Sequence, residues 1–386
     1  MSTLATVLQK LDTLISFDTT SRHSNVDLID WIEAQLIPLG ASCTRIANET
    51  GSKTNLWARI GANEPGGLVL SGHTDVVPID GQDWHTDPFK LTQARDLLYG
   101  RGTADMKSFL ALCLAFAPVF AKGGLRRPIH FAFSYDEEVG CQGAPSMISR
   151  IVEAGARPEA VWVGEPTLWQ VVSSHKGIVL TEVGVTGREA HSSLPQLGVS
   201  AIGEAVDLMA VLRTIEKDLV ANPRAGSAFD PPYPTLTVGQ LQGGTAANIL
   251  ARNCTFLFDL RCPPGDDVDA ILAPFSDAVE AANLRLQARF PEAGVRVTRL
   301  TNVPPLSAET GSPAETLVRS LTGDNAQRAV SYTTEAGQFH AAGIPAVVCG
   351  PGSIDQAHTP NEFIAASQLE KGVEIFQELT ARLATA

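Results

Sequence analysis

Leu68-Val-Leu-Ser-Gly-His73-Thr-Asp75 is the stretch from which the architecture follows. A short, continuous apolar run that stops at a glycine and then delivers an imidazole and a carboxylate reads as a strand buried on both faces. The polar residues belong to the loop at its carboxyl end. Three more runs repeat the pattern: Ile129-His-Phe-Ala-Phe-Ser-Tyr135 before Glu137-Glu138, Val161-Trp-Val163 before Glu165, and Ala346-Val-Val-Cys349 ahead of His358. Helical stretches lie between them. The first is amphipathic, with Leu4, Val7, Leu8, Leu11, Leu14 and Ile15 at helical spacing. Buried strands alternating with helices predict an α/β domain whose sheet is covered on both faces. Ligands bind such sheets beyond the carboxyl ends of the strands.

The middle of the chain has another character. Residues 178–187 alternate like a half-exposed strand, 199–219 have helical periodicity, and 235–241 and 255–260 are strand-like. A helix is expected over 268–288 and a last alternating strand over 295–300. That order, β-α-β-β-α-β, is the ferredoxin-like split unit. Metal-like residues resume only after it, which indicates an inserted domain. The expected division is 1–174 and 303–386 for one discontinuous domain, with the insertion at 175–302.

The 386 residues carry 29 Lys+Arg against 42 Asp+Glu, a formal charge of −13. This offers no basic field for a phosphate backbone, so nucleic acid is not an expected partner. With 44% hydrophobic residues the chain has ample material for packed interiors. The cysteines (Cys43, Cys113, Cys141, Cys254, Cys262, Cys349) form no C-x-x-C pair, and a small buried thiol is the expected role of Cys113. The most apolar stretch, 109–121, is expected to break at Pro118 and is shorter than the ~20 residues a membrane span needs. The first residues lack a basic start followed by an apolar core, so the sequons at Asn48 and Asn253 carry no weight and a cytoplasmic location, away from membranes, is expected.

Five acidic or imidazole clusters follow the strands: His73-Thr-Asp75, Asp105, Glu137-Glu138, Glu165 and His358. Residues two apart in an extended segment face the same way, so Asp75 is expected to orient the His73 ring and fix its tautomer. Residues 100–105 imitate a dinucleotide fingerprint, but Asp105 stands where the third glycine belongs and would repel a pyrophosphate. No phosphate-binding loop with G-x-x-x-x-G-K-[ST] and no G-x-S-x-G elbow occurs. Adjacent Glu137 and Glu138 cannot address one point alike. One can bind a metal while the other faces the water which that metal activates.

Taken in order, SGHTDVVP (71–78), YGRGTADMK (99–107), DEEVG (136–140), GEPT (164–167) and QAHTP (356–360) resemble the co-catalytic dizinc amidohydrolases related to aminoacylase, glutamate carboxypeptidase and succinyl-diaminopimelate desuccinylase. The insertion fits too, with GREAHSS (187–193) and GGTAAN (243–248). The resemblance implies a zinc-peptidase-like α/β catalytic domain, with a mixed central sheet flanked by helices, plus a ferredoxin-like α+β domain serving as lid and dimerisation element. It also implies two Zn²⁺, with Co²⁺ as an alternative. Asp105 would bridge them, Glu138 and His358 would complete one site, and His73 and Glu165 the other. Three protein ligands per ion leave room for water, as a catalytic site requires.

By the same resemblance Glu137 is the general acid/base, and His191 stabilises the oxyanion in the opposite subunit of a homodimer. Asn248 and Arg261 anchor an N-acyl amino acid substrate, the guanidinium suiting its α-carboxylate. The family usually places Pro shortly after this Asn, whereas Asn248-Ile-Leu-Ala251 has none. Ser174-His-Lys-Gly177, Thr334-Glu-Ala-Gly337 and the run to His358 direct the resemblance toward an acetylated amino acid with a cationic side chain, and Glu335 is the carboxylate expected to face that cation. Desuccinylation would need another cationic contact, for which Lys176 and Arg261 are available, and a dipeptidase is a further alternative. A non-catalytic scaffold is disfavoured, because all five ligand positions and Glu137 are filled.

Overall fold

In a computed structural model that describes residues 3–122 and 124–385, the buried runs become neighbours in one six-stranded sheet. Its order is Ser42–Ala47, Thr54–Ile60, Ile129–Ser134, Leu68–His73, Ala160–Val163 and Ala346–Val348. The first two strands pair antiparallel, and Thr54–Ile60 is antiparallel to Ile129–Ser134. The remaining four are parallel. All side chains of Leu68–His73, Ile129–Ser134 and Ala160–Val163 are buried, as expected of strands covered on both faces.

The helix Lys107–Ala121 lies in the core and is buried almost all round. Phe109, Phe116, Trp162 and Phe376 form a contiguous aromatic cluster there. The expected break at Pro118 does not occur: the helix runs through it to Ala121. Proline forfeits one amide donor, and the burial of this helix outweighs that loss. The amphipathic N-terminal helix spans Thr3–Ser16; Met1 and Ser2 of that reading lie outside the described residues.

The chain divides into two compact units. The first holds the residues to Ser174, Leu306–Ala329, and those from Thr334 onward. The second holds His175–Pro305 and the short stretch Val330–Thr333. In the second, a four-stranded antiparallel sheet has the order Thr235–Gly243, Asn253–Cys262, Gly177–Thr186, Gly294–Val303. Helices Ala201–Ala221 and Val268–Arg289 contribute to its core, so the chain order is β-α-β-β-α-β. The helix expected from 199 starts at Ala201 because Ser200 caps it, its hydroxyl accepting the Gly203 N–H. Asp267 caps the second helix in the same way. Val330–Thr333 joins this unit through the Thr333 hydroxyl, which donates to the Lys176 carbonyl at 2.8 Å, and Ser331, which donates to the Asp230 carbonyl at 2.6 Å.

Candidate active site

The strand ends place the polar residues. His73 is the last residue of its strand, Glu137 and Glu138 follow Ile129–Ser134, Glu165 follows Ala160–Val163, and His358 follows Ala346–Val348. Asp105 arrives from elsewhere, just ahead of the helix Lys107–Ala121. Its two oxygens diverge. Oδ1 lies 3.0 Å from His73 Nε2, and Oδ2 lies 3.3 Å from His358 Nε2. His358 Nε2 is also 2.9 Å from Glu138 Oε2. The ligating atoms of His73, Glu137 and Glu165 fall within 4.8 Å of one another, as do those of His73, Asp105 and Glu138.

Close approach of the backbone makes this arrangement possible. A Cβ on Gly164 would stand 2.0 Å from the Phe109 ring, and one on Gly350 would stand 2.1 Å from the Gly164 carbonyl oxygen. Only glycine lets the Glu165 segment settle between the core helix and the last strand's loop.

Four carboxylates crowd two imidazoles here, and their protonation reflects it. Burial, reinforced by the charges of Glu138 and Asp105, pushes Glu137 up to about 8 against the pull of His73. Burial and Asp105 raise Glu138 to about 7, and burial lifts Glu165 well above the carboxylate range. Hydrogen bonds to Asp105 and Glu138 raise His358 to about 10. Burial opposes the charge on His73, but its hydrogen bond to Asp105 prevails and raises it well above an ordinary imidazole. Asp105 is likewise held below the usual range by the two imidazoles, despite its burial.

The cluster fits divalent cations. Glu165 Oε1 is buried without a hydrogen-bond partner among the described residues, a costly state that a cation relieves. Histidine nitrogens and carboxylate oxygens, three groups to an ion with Asp105 shared, are a donor set suited to zinc.

Asp75 is tied to the site differently from expectation. His73 Nδ1 meets the Asp75 backbone carbonyl at 2.9 Å, whereas the carboxylate is 3.6 Å away. The carboxylate instead accepts the backbone N–H groups of Glu137 and Glu138, at 3.1 and 3.2 Å, and the Ser21 hydroxyl at 2.7 Å. Buried just beyond the strand end, the carboxylate is spent on the neighbouring glutamate loop and Ser21 rather than on the imidazole. Asp75 therefore orients the ring through its main chain and the glutamate turn through its side chain.

Glu335 also departs from expectation. It is fully buried, and its oxygens accept the Ser71 hydroxyl at 2.6 Å and the Ser134 hydroxyl at 2.7 Å. Sealed between two strands, it does not present a carboxylate to a substrate cation. Nor does its side chain cap the helix Ala336–Ala341 that begins after it. Lys176 is fully buried as well, with Nζ donating to the carbonyls of Pro231 and Tyr233 at 3.1 and 2.8 Å. It is not available as a cationic contact for a second substrate carboxylate.

His191, Asn248 and Arg261 belong to the second unit. An antiparallel bridge between His191 and Ile249, with Ser192 N–H donating to the Asn248 carbonyl, holds the first two as neighbours on an exposed loop pair. This pairing is made without the proline usual after the Asn. Arg261 is half-buried on Asn253–Cys262, 3.3 Å from Asp259. Sequence reasoning missed Cys141, whose thiol donates to Glu137 Oε1 at 3.2 Å, and Glu362, whose place is described below. Cys141 stands only four residues after Glu137, in the same turn, whereas Glu362 has no local signal and is selected by a partner that the fold brings to it.

Fold and site together define a metal-dependent hydrolase built on an α/β peptidase scaffold. The chain belongs to peptidase family M20/M25/M40, whose sequence profile matches residues 69–382. It is similar to acetylornithine deacetylase of Proteus mirabilis, at 36% identity over 94% of this chain and 91% of the relative. The acetylornithine deacetylase of Pasteurella multocida is 33% identical over 97% of this chain and 95% of its own. Among solved structures, an M20 family metallo-carboxypeptidase from Sulfolobus solfataricus shares the fold with a TM-score of 0.77 at 17% identity, covering 98% of this chain and 99% of that one. A tripeptidase from Staphylococcus aureus does so with a TM-score of 0.75 at 18% identity, covering 99% of both. No helix among the described residues is long and apolar enough to cross a membrane.

Proposed function

We propose that this chain hydrolyses N²-acetyl-L-ornithine to acetate and L-ornithine, a step of arginine biosynthesis, at a centre of two divalent ions. The observation that carries the reading is the divided Asp105 carboxylate, one oxygen toward His73 and the other toward His358. Asp105 is assigned as the bridging ligand, with His73 and Glu165 on one side and Glu138 and His358 on the other. Zinc is the expected metal and cobalt the alternative. The names of the relatives support the acetylated substrate. So does Lys176, whose committed ammonium removes one cation a succinyl carboxylate would need.

When bound, such ions polarise the amide carbonyl and lower the pKa of a water. Glu137 would take up a proton from the attacking water and deliver it to the amide nitrogen as the C–N bond breaks. The Cys141 thiol holds Oε1 of Glu137 and leaves Oε2 to the proton. His191 suits an oxyanion donor. Ser193 N–H, which can only donate, meets Nδ1 at 3.2 Å, so the neutral ring carries its proton on Nε2. Asn248 and Arg261 are assigned to the substrate's polar groups. The chain is proposed to act in the cytoplasm as a homodimer formed through the second unit, with the partner's His191 completing each site.

The test is a substrate panel on zinc-loaded protein: N²-acetyl-L-ornithine, N-succinyl-L,L-diaminopimelate and a set of dipeptides. The highest kcat/KM is expected for acetylornithine. A higher value for the succinylated substrate or a dipeptide replaces this reading with desuccinylase or dipeptidase.

A further inference from the structure

Glu362 is sealed from solvent, at 1% exposure, and both of its oxygens are committed to the segment that carries Asp105. Oε1 accepts the backbone N–H groups of Ala104 at 2.8 Å and Asp105 at 3.1 Å. Oε2 accepts the Gly102 N–H at 3.0 Å and Arg101 Nη1 at 2.7 Å. Arg101 is equally buried and reaches on to the Thr359 carbonyl at 3.3 Å and to Gln82 Oε1 at 2.5 Å. Its guanidinium lies 5.1 Å over the Trp84 ring. Gln82 closes the circuit by donating to the His358 carbonyl at 3.0 Å.

The two sides of the proposed centre are anchored unequally. His73 is buried at the end of a central strand, with its ring on the Asp75 carbonyl. His358 sits in a loop at φ 63°, with half of its side chain exposed. Its main chain is tied to the Asp105 segment through Gln82, Arg101 and Glu362.

We infer that Glu362 is a positioning residue for the His358 side of the centre: it clasps the loop of His358 to the backbone of Asp105, so that both approach the same ion. This rests on the dinuclear reading above. Glutamine at 362 keeps the shape but turns an NH₂ group toward two N–H donors and leaves Arg101 buried without its counter-charge. Partners that orient ligands in this way typically govern metal affinity by roughly 10–100-fold.

The experiment titrates zinc into the metal-free full chain in competition with a chromophoric chelator. Wild type is expected to take two tight equivalents. E362Q should keep one and bind the other roughly 10–100-fold more weakly. Q82A, at the half-buried edge of the clasp, should weaken the same equivalent by less and serves if E362Q does not fold. Adding E362Q to H358A should then cost that equivalent nothing further, because both act on one ion. Wild-type affinity for both equivalents in E362Q and Q82A overturns the clasp and leaves the dinuclear reading intact. Equal weakening of both ions also overturns it, since that is a general loosening of the site. A wild-type chain that binds no zinc tightly overturns the dinuclear reading itself, and the clasp with it.

Discussion

Glu137 is pulled in two directions, since the Cys141 thiol donates to it while Glu138 and Asp105 repel its charge. With no ligating role assigned to it, Glu137→Gln should keep two zinc equivalents and lose about 10²–10⁴-fold in kcat, as expected when a general acid/base is removed. Zinc stoichiometry and steady-state kinetics on the same sample check this, and near-normal turnover would remove Glu137 from its role. The crowded charges also make metal binding a proton exchange. Without metal, His73, His358 (about 10) and the raised glutamates hold protons near neutrality, and ligands must lose them. Rising pH therefore favours binding, and zinc affinity should fall about tenfold or more per unit from pH 8 to 6. Calorimetry in buffers of different ionisation enthalpy should register net proton release; a pH-independent affinity would contradict it. His73, Glu138, Glu165 and His358 were legible as residue types following strand-like runs, and Asp105 as the acid in place of a glycine just ahead of the core helix. Glu335 was misread, because a carboxylate's sequence position does not show that Ser71 and Ser134 enclose it.

At the level of elements, two positions hold testable stress. Gly164→Ala would drive a methyl into the Phe109 ring, and overpacking of this kind costs about 1–3 kcal/mol. The variant should show a lower denaturation midpoint and weaker zinc binding as Glu165 moves; an unchanged midpoint and affinity would mean that the core helix yields. His130, on Ile129–Ser134, is fully buried, accepting Trp57 Nε1–H on Nδ1 at 3.1 Å and meeting the Gly66 carbonyl through Nε2 at 3.2 Å. Burial lowers it to about 4 from the usual 6.5. The unfolded chain takes up this proton first as pH falls. The stability contribution is thus whole above 6.5 and lost between there and about 4, on the order of 3 kcal/mol. Stability measured against pH should lose that part of its slope in His130→Asn. Strand and helix existence was legible from periodicity. The passage of a helix through Pro118 was not, because only packing outweighs the missing amide bond.

For the whole molecule, metal and stability are linked. Zinc that binds only the folded chain should stabilise it, by about 4 kcal/mol at a thousandfold excess over Kd. Calorimetry with zinc and with EDTA should separate the midpoints by several degrees; coincident traces would mean no structural coupling. The sequence by itself determined the class of fold and the chemistry at the strand ends, because periodicity and donor type are local properties of the chain. The tertiary structure decided which oxygen of Asp105 faces which histidine, that Lys176 is spent on carbonyls, and that Glu335 and Glu362 are buried supports. Glu335 meets Ser71 across 264 residues and Glu362 meets Asp105 across 257. Contacts at such separation are set by how the sheet and core helix pack, and no local pattern of side chains encodes them.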